Sequence, residues 1–145
     1  MRSFFSILIL AVGVLVNQSC AQLSKEPWSP GQLMSTADLA SAIQNNKAKD
    51  LLILTIGPDA VIKGSVNIGP AGEKENVAKL RNYLKDVPKD KEVVIYCGCC
   101  PFSRCPNIRP AFGVLNEMGF KNARLLDIPK NVKVDWLDKG YPTTD

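Results

Sequence analysis

An α/β fold, with a central parallel sheet and helices on both of its faces, is what this sequence predicts. Two observations carry that expectation. The apolar runs Leu51–Ile56 and Val93–Tyr96 are continuous rather than alternating, which suits strands buried on both faces. Stretches with apolar residues at helical spacing lie between and after them, so strands and helices alternate along the chain, as a three-layer parallel arrangement requires.

The elements follow in order. Residues 22–34 carry Pro27, Pro30 and Gly31 and read as a flexible lead-in, which leaves 35–145 as the folded domain. Ser35-Thr36-Ala37-Asp38 has the pattern of a helix cap with an acidic first turn; Leu39 and Ile43 follow one turn apart, and Asn45-Asn46 ends the helix. Leu51–Ile56, bounded by Asp50 and Gly57-Pro58, is a buried strand, and Val66–Ile68, framed by Gly64 and Gly69-Pro70, a short one. Glu73–Leu84 places Val77, Leu80 and Leu84 on one helical face, with Pro88 as a stop. Val93–Tyr96 is a second buried strand that runs straight into Cys97. Beyond it, Ile108, Phe112 and Leu115 share a helix face, with Gly119 as a C-terminal cap. Arg124–Leu126 suits a third buried strand, and Val134–Lys139 a last helix closed by Gly140, with Trp136 and Tyr141 packing it onto the sheet.

The 145 residues are 46% hydrophobic and 22% charged, an ordinary globular balance and the size of one domain. A net charge of +4 is spread without a cluster, so no nucleic-acid partner is expected. At the amino end, Arg2 precedes the apolar run Phe4–Val16, which falls short of the roughly 18–20 residues that span a bilayer as a helix. Its proportions are those of a signal-peptide core, and Ser19-Cys20-Ala21 offers small residues for cleavage before Gln22. The leader is therefore expected over 1–21. A rival reading ends it at 19 and makes Cys20 a lipidated first residue, the single way in which this chain would meet a membrane. Either route exports the protein to the periplasm or cell envelope.

Four of the five cysteines crowd into YCGCCPFSRCPN, Tyr96 to Asn107, and the chain has no histidine. The element order puts this stretch at the carboxyl end of a central strand, just before a helix, where ligands and chemistry collect in open α/β sheets. The free N–H groups and dipole of that helix lower a thiol pKa, from about 8.5 to as low as ~3.5–7.5. One such cysteine could be a small buried hydrophobe; four in a loop bearing Gly98 and Pro101 point to a functional site. Gly98, Cys99, Cys100, Ser103, Arg104 and Cys105 form the active-site loop behind Cys97, and Arg104 and Arg109 are the nearest cations for an anionic donor. A phosphatase loop needs Arg six residues after its nucleophile, and from Cys97 that position is Ser103.

VVIYC (Val93–Cys97), a loop, a helix ending in EMGF (Glu117–Phe120) and VDWLDKGYP (Val134–Pro142) resemble a single-domain rhodanese. DLASAI before LLILTIGP, and then IKGSVNIGP (Ile62–Pro70), is similar to the amino half of that family. The likeness runs from about Thr36 to Thr143 and implies a rhodanese-like three-layer fold. It also implies sulfurtransferase chemistry, with Cys97 the nucleophile that accepts sulfane sulfur as a persulfide and passes it to an acceptor. The chain departs from the family's usual loop of six residues: its segment is longer, and Gly98 stands where the first Arg would be.

The resemblance further implies a small sulfur donor and a thiol or cyanide-like acceptor as partners, no cofactor, no bound metal and a monomer. Two alternatives stand beside it. Cys99, Cys100 or Cys105 can act with Cys97 as a thiol redox protein, within the frame Cys97-Gly98-Cys99-Cys100. The thiolates can also hold zinc or copper(I), although their spacing is not that of a zinc ribbon. N-terminal sequencing of the native protein is expected to begin at Gln22 or to be blocked by lipid at Cys20. A native chain that keeps Phe4–Val16 would remove the export expectation.

Overall fold

The computed structural model describes residues 26–144; the expected leader, Cys20 and residues 22–25 lie outside the described residues. Five strands form one sheet, β1 (Leu33–Ser35), β2 (Leu52–Thr55), β3 (Val66–Asn67), β4 (Glu92–Tyr96) and β5 (Asn122–Asp127). Their spatial order is β1-β5-β4-β2-β3, and every pairing is parallel. The helices are α1 (Thr36–Gln44), α2 (Lys74–Leu84), α3 (Ile108–Glu117) and α4 (Val132–Asp135). This is the α/β class that the alternating elements predict.

The continuous apolar runs divide between two cores because successive side chains of a strand point to opposite faces. Leu54, Ile56, Val93, Ile95 and Leu125 meet Leu80, Leu84, Ile108, Phe112 and Leu115 of α2 and α3 on one face. Ile53, Val94, Tyr96 and Leu126 meet Leu39, Ala40 and Trp136 on the other. Cys97 continues the parity of Val93 and Ile95, which sends its sulfur to the face covered by α2 and α3.

Two expectations are corrected. The lead-in over 22–34 is not a free tether in its described part. Trp28 packs edge-on against Phe112, ring centroids 5.8 Å apart, and beside Phe102 at 6.3 Å. Pro30 opens a 3-10 turn over Pro30–Gln32, and Leu33–Ser35 pairs with Leu125–Asp127 as an edge strand. Three residues carry no periodicity of their own, so only the pairing reveals that strand. The last helix begins earlier than expected and breaks: α4 stops at Asp135, and a 3-10 turn, Leu137–Lys139, completes it. Asn131 caps α4 through the Val134 N–H (2.9 Å), and the Asp135 carboxylate accepts from the N–H groups of Lys130 (2.7 Å) and Asn131 (3.1 Å). Trp136 and Tyr141 meet edge to face, centroids 5.1 Å apart, as their place in the sequence suggests.

Tyr96 ties the segment after β2 to β4. Its buried hydroxyl accepts from the backbone N–H groups of Val61 (3.0 Å) and Ile62 (3.2 Å) and lies 3.0 Å from the Ser65 hydroxyl. Tyr96→Phe strands these partners and is expected to cost about 1–3 kcal/mol of stability. Tyr83→Phe, at a ring 40% exposed, is expected to stay within about 0.5 kcal/mol. Urea unfolding of the two variants measures the difference; equal midpoints would refute the assigned role.

Candidate active site

The site begins where the chain changes direction. From β2 the backbone leads outward to β3, whereas from β4 it leads through α3 to β5 on the other side. Diverging connections open a crevice at the carboxyl ends of adjacent parallel strands. The ladder between β2 and β4 runs up to its edge, where the Ile56 N–H donates to the Tyr96 carbonyl at 2.9 Å. The next residues are Gly57 and Cys97. A Cβ at position 57 would lie 2.8 Å from the Cys97 Sγ, so glycine leaves the space that the sulfur occupies.

Cys97 is 1% exposed. Its Sγ lies 3.3 Å from Cys99 Sγ, and Cys99 Sγ lies 3.2 Å from Cys100 Sγ. Cys105 is buried, and the sulfurs of Cys97, Cys99 and Cys105 all lie within 4.8 Å of one another. Cys99 is exposed and Cys100 half-buried. The loop is anchored at two points: the Gly98 carbonyl accepts from the Val132 N–H (2.9 Å), and the Phe102 N–H donates to the Ile128 carbonyl (3.0 Å). A Cβ on Gly98 would meet the Val132 side chain at 2.8 Å, so this approach also requires glycine.

Asn107, the residue before α3, completes the surroundings of Cys97. Its Oδ1 accepts from the Gly72 N–H at 2.8 Å, which turns the Nδ2 donor to the Cys97 sulfur at 3.4 Å. The pattern Cys-Pro-Asn marks Asn107 as the start of a helix, but its contact with Cys97 depends on Gly72, 35 residues away. Sequence reasoning put the helix start at Asn107 beside the charged sulfur, but missed the side-chain bond of Asn107 to Cys97 and the space left by Gly57.

These contacts separate the acidities of the thiols. The Cys97 pKa is lowered from 9.0 to about 5, chiefly by the Cys105 thiol, with further help from the Asn107 amide and the Cys99 backbone N–H and thiol, against the opposing effect of burial. Cys99 is raised to about 12 by partial desolvation of its sulfur and by its sulfur neighbours Cys100 and Cys97. Cys105 is pushed up, first by the same contact with Cys97 and then by burial. The charge falls to Cys97, and Cys99 and Cys105 hold their protons.

The remaining site candidates fall elsewhere. The guanidinium of Arg109, expected as an anion holder, donates to Glu26 (2.5 Å) and to the Ser103 carbonyl (2.8 Å) and lies over the Trp28 ring. Arg104 is exposed and forms no ion pair among the described residues. Ser103 is exposed, and Phe102 packs against the core as a plug. A cavity of about 210 Å³ opens beside the loop, lined by Pro58, Asp59, Val61, Gly98, Cys99 and Val132, without a cation. A larger cavity, about 390 Å³, lies against Trp28 and Phe102 and is lined by no thiol. Cys97, Cys99 and Cys105 are near enough to share a soft ion, but three thiolates fall short of the four ligands of a structural zinc site.

No family model and no curated protein matches the chain. Solved structures do. The single-domain sulfurtransferase RDL2 of Saccharomyces cerevisiae superposes with a TM-score of 0.54 at 16% identity, over 75% of this chain and 90% of that one. The fold is rhodanese-like. Wild-type EanB superposes with a TM-score of 0.56 at 14% identity, and an EanB variant in complex with hercynine at 0.56 and 15%, each over 78% of this chain. This chain spans about a quarter (27%) of those EanB chains.

Alkylation of Cys97 is expected to proceed at a constant rate at neutral pH and to fall to half near pH 5, because the thiolate is protonated only below that value. Asn107→Leu and Cys105→Ala each remove a stabilising donor, so each midpoint is expected to rise, the second by more. Rates of iodoacetamide labelling, read by peptide mass, measure all three. A wild-type midpoint at the ordinary thiol value of 9.0 would refute the assigned environment.

Proposed function

We propose that this protein is a sulfurtransferase in which Cys97 takes sulfane sulfur from a small donor as a persulfide and gives it to a nucleophilic acceptor. One observation carries the reading: a sulfur at the carboxyl end of β4, placed by the sheet and surrounded by donors that hold it as a thiolate near neutral pH. A fixed and ionised thiol meets both demands of nucleophilic catalysis. The likeness in fold to a single-domain sulfurtransferase supports the same reading.

In the first half-reaction the Cys97 thiolate attacks the outer sulfur of the donor, whose S–S bond breaks and whose remainder leaves with the electron pair. In the second, a thiol or cyanide-like acceptor attacks the sulfane sulfur and expels the Cys97 thiolate. No Lys or Arg lines the adjoining cavity, whose walls are Pro58, Asp59, Val61, Gly98, Cys99 and Val132. Beside Asp59 and without a cation a thiosulfate dianion is disfavoured, whereas a persulfide or hydropolysulfide can enter protonated, so we infer that one of these is the donor. We place the activity outside the cytoplasm, with the envelope reached through the leader or a lipid on Cys20. No helix among the described residues is long and apolar enough to cross a membrane.

Intact mass after incubation with polysulfide is expected to show one added sulfur on the wild-type protein and none on Cys97→Ser. Thiosulfate is expected to load the protein at least ~10-fold more slowly than polysulfide. Sulfur uptake by Cys97→Ser, with loss of uptake on Cys105→Ser, would move the nucleophile away from the strand end.

A further inference from the structure

The proposed nucleophile is almost wholly enclosed. At 1% exposure, Cys97 offers little approach to an acceptor larger than a few atoms. Cys99, two residues on, is exposed, and its sulfur stands 3.3 Å from that of Cys97. It also lines the cavity of about 210 Å³ that opens to solvent beside the loop. The two backbone anchors of the loop, at Gly98 and Phe102, bracket Cys99 and hold it over the buried thiol.

We propose that Cys99 is a second sulfur carrier, which takes the sulfane sulfur from buried Cys97 and presents it at the surface to a bulky thiol acceptor. The inference rests on the reading of Cys97 as the sulfur-accepting nucleophile. In the relay step the Cys99 thiol gives its proton to solvent and its sulfur attacks the outer sulfur of the Cys97 persulfide. The persulfide S–S bond breaks, a new S–S bond forms at Cys99, and the electron pair leaves on the Cys97 Sγ. Nothing is oxidised or reduced overall, so no co-reactant is needed. An acceptor thiolate then removes the sulfur from Cys99 as its own persulfide, and Cys99 is reprotonated.

The chemistry of the two thiols sets the direction. A leaving thiol of low pKa departs faster, and the Cys105 and Asn107 contacts stabilise the departing Cys97 thiolate. The competing attack, on the inner sulfur, would expel hydrosulfide and close a Cys97–Cys99 disulfide, forgoing that stabilised leaving group. The order of events is set as well. While Cys97 is charged, partial desolvation and the neighbouring Cys100 and Cys97 sulfurs keep Cys99 protonated, and it does not compete for the donor.

The test uses wild-type protein and Cys99→Ser, loaded with inorganic polysulfide without oxygen and then given reduced glutathione or cyanide as acceptor. Alkylation followed by peptide fragmentation locates the sulfur. Wild type is expected to carry sulfane sulfur on both Cys97 and Cys99, and Cys99→Ser on Cys97 alone. In Cys99→Ser the ratio of the glutathione rate to the cyanide rate is expected to fall at least ~10-fold, because only cyanide is small enough to reach the crevice. Two results would overturn the relay alone: a Cys99→Ser protein that loads sulfur and delivers it to glutathione at the wild-type rate, or a wild type that forms a Cys97–Cys99 disulfide and releases hydrosulfide as its main product. A wild type that takes up no sulfur at all would overturn the relay together with the reading of Cys97 beneath it.

Discussion

The pleat of β4 governs both halves of the molecule. Tyr96 and Cys97 are consecutive, so the strand sends them to opposite faces. Tyr96 enters the core with α1 and Trp136 and holds the Val61–Ile62 backbone through its hydroxyl. Cys97 enters the core with α2 and α3, where Cys105, Ile108 and Asn107 surround it. The bond between the Ile56 N–H and the Tyr96 carbonyl fixes the step between these fates, because it is the last rung before the backbones of β2 and β4 part. A one-residue slip of register would place the sulfur among the residues of the other core.

Around that fixed sulfur, the surroundings divide the labour between apolar and polar groups. Burial alone would keep Cys97 protonated; hydrogen-bond donors, with the Cys105 thiol foremost, reverse the sign. Asn107 supplies one of these donors and also joins α3 to the turn before α2 through Gly72. The residue that tunes the thiol thus helps hold together the helices that cover it. Gly57 and Gly98 act by absence, since a methyl group at either would meet the sulfur or Val132 at 2.8 Å. Positive charge plays little part. Arg109, the cation nearest the start of α3, is spent on Glu26, Ser103 and Trp28, which fastens the amino-terminal segment over the outside of the loop.

That segment shows how far local signals reach. Pro27, Pro30 and Gly31 are breakers, and on their own they describe a tether. In the folded chain Trp28 fills a place between Phe102 and Phe112, and the following three residues complete the edge of the sheet beside β5. Neither contact has a counterpart in sequence spacing, because each joins residues more than 70 positions apart. The broken last helix has the same origin. Asp135 is drawn back onto the Lys130 and Asn131 N–H groups, which starts α4 early and leaves Trp136 free to turn inward.

The sequence by itself determined the layers, the alternation of strands and helices, and the position of Cys97 at a strand end before a helix. These follow from local rules: two-residue and 3.6-residue periods, caps and breakers are written in neighbouring residues. It also placed Trp136 and Tyr141 among structural residues. The strand end before a helix also singled out Cys97 as the reactive thiol; only the tertiary structure decided which of the other sulfurs are screened and which faces solvent. Acidity and exposure depend on distances between loop atoms and on a partner such as Gly72, brought in from far along the chain. Four cysteines in one loop are equivalent as letters. They become different chemical groups when the sheet fixes the first, α3 buries the last, and the loop between leaves Cys99 in the open.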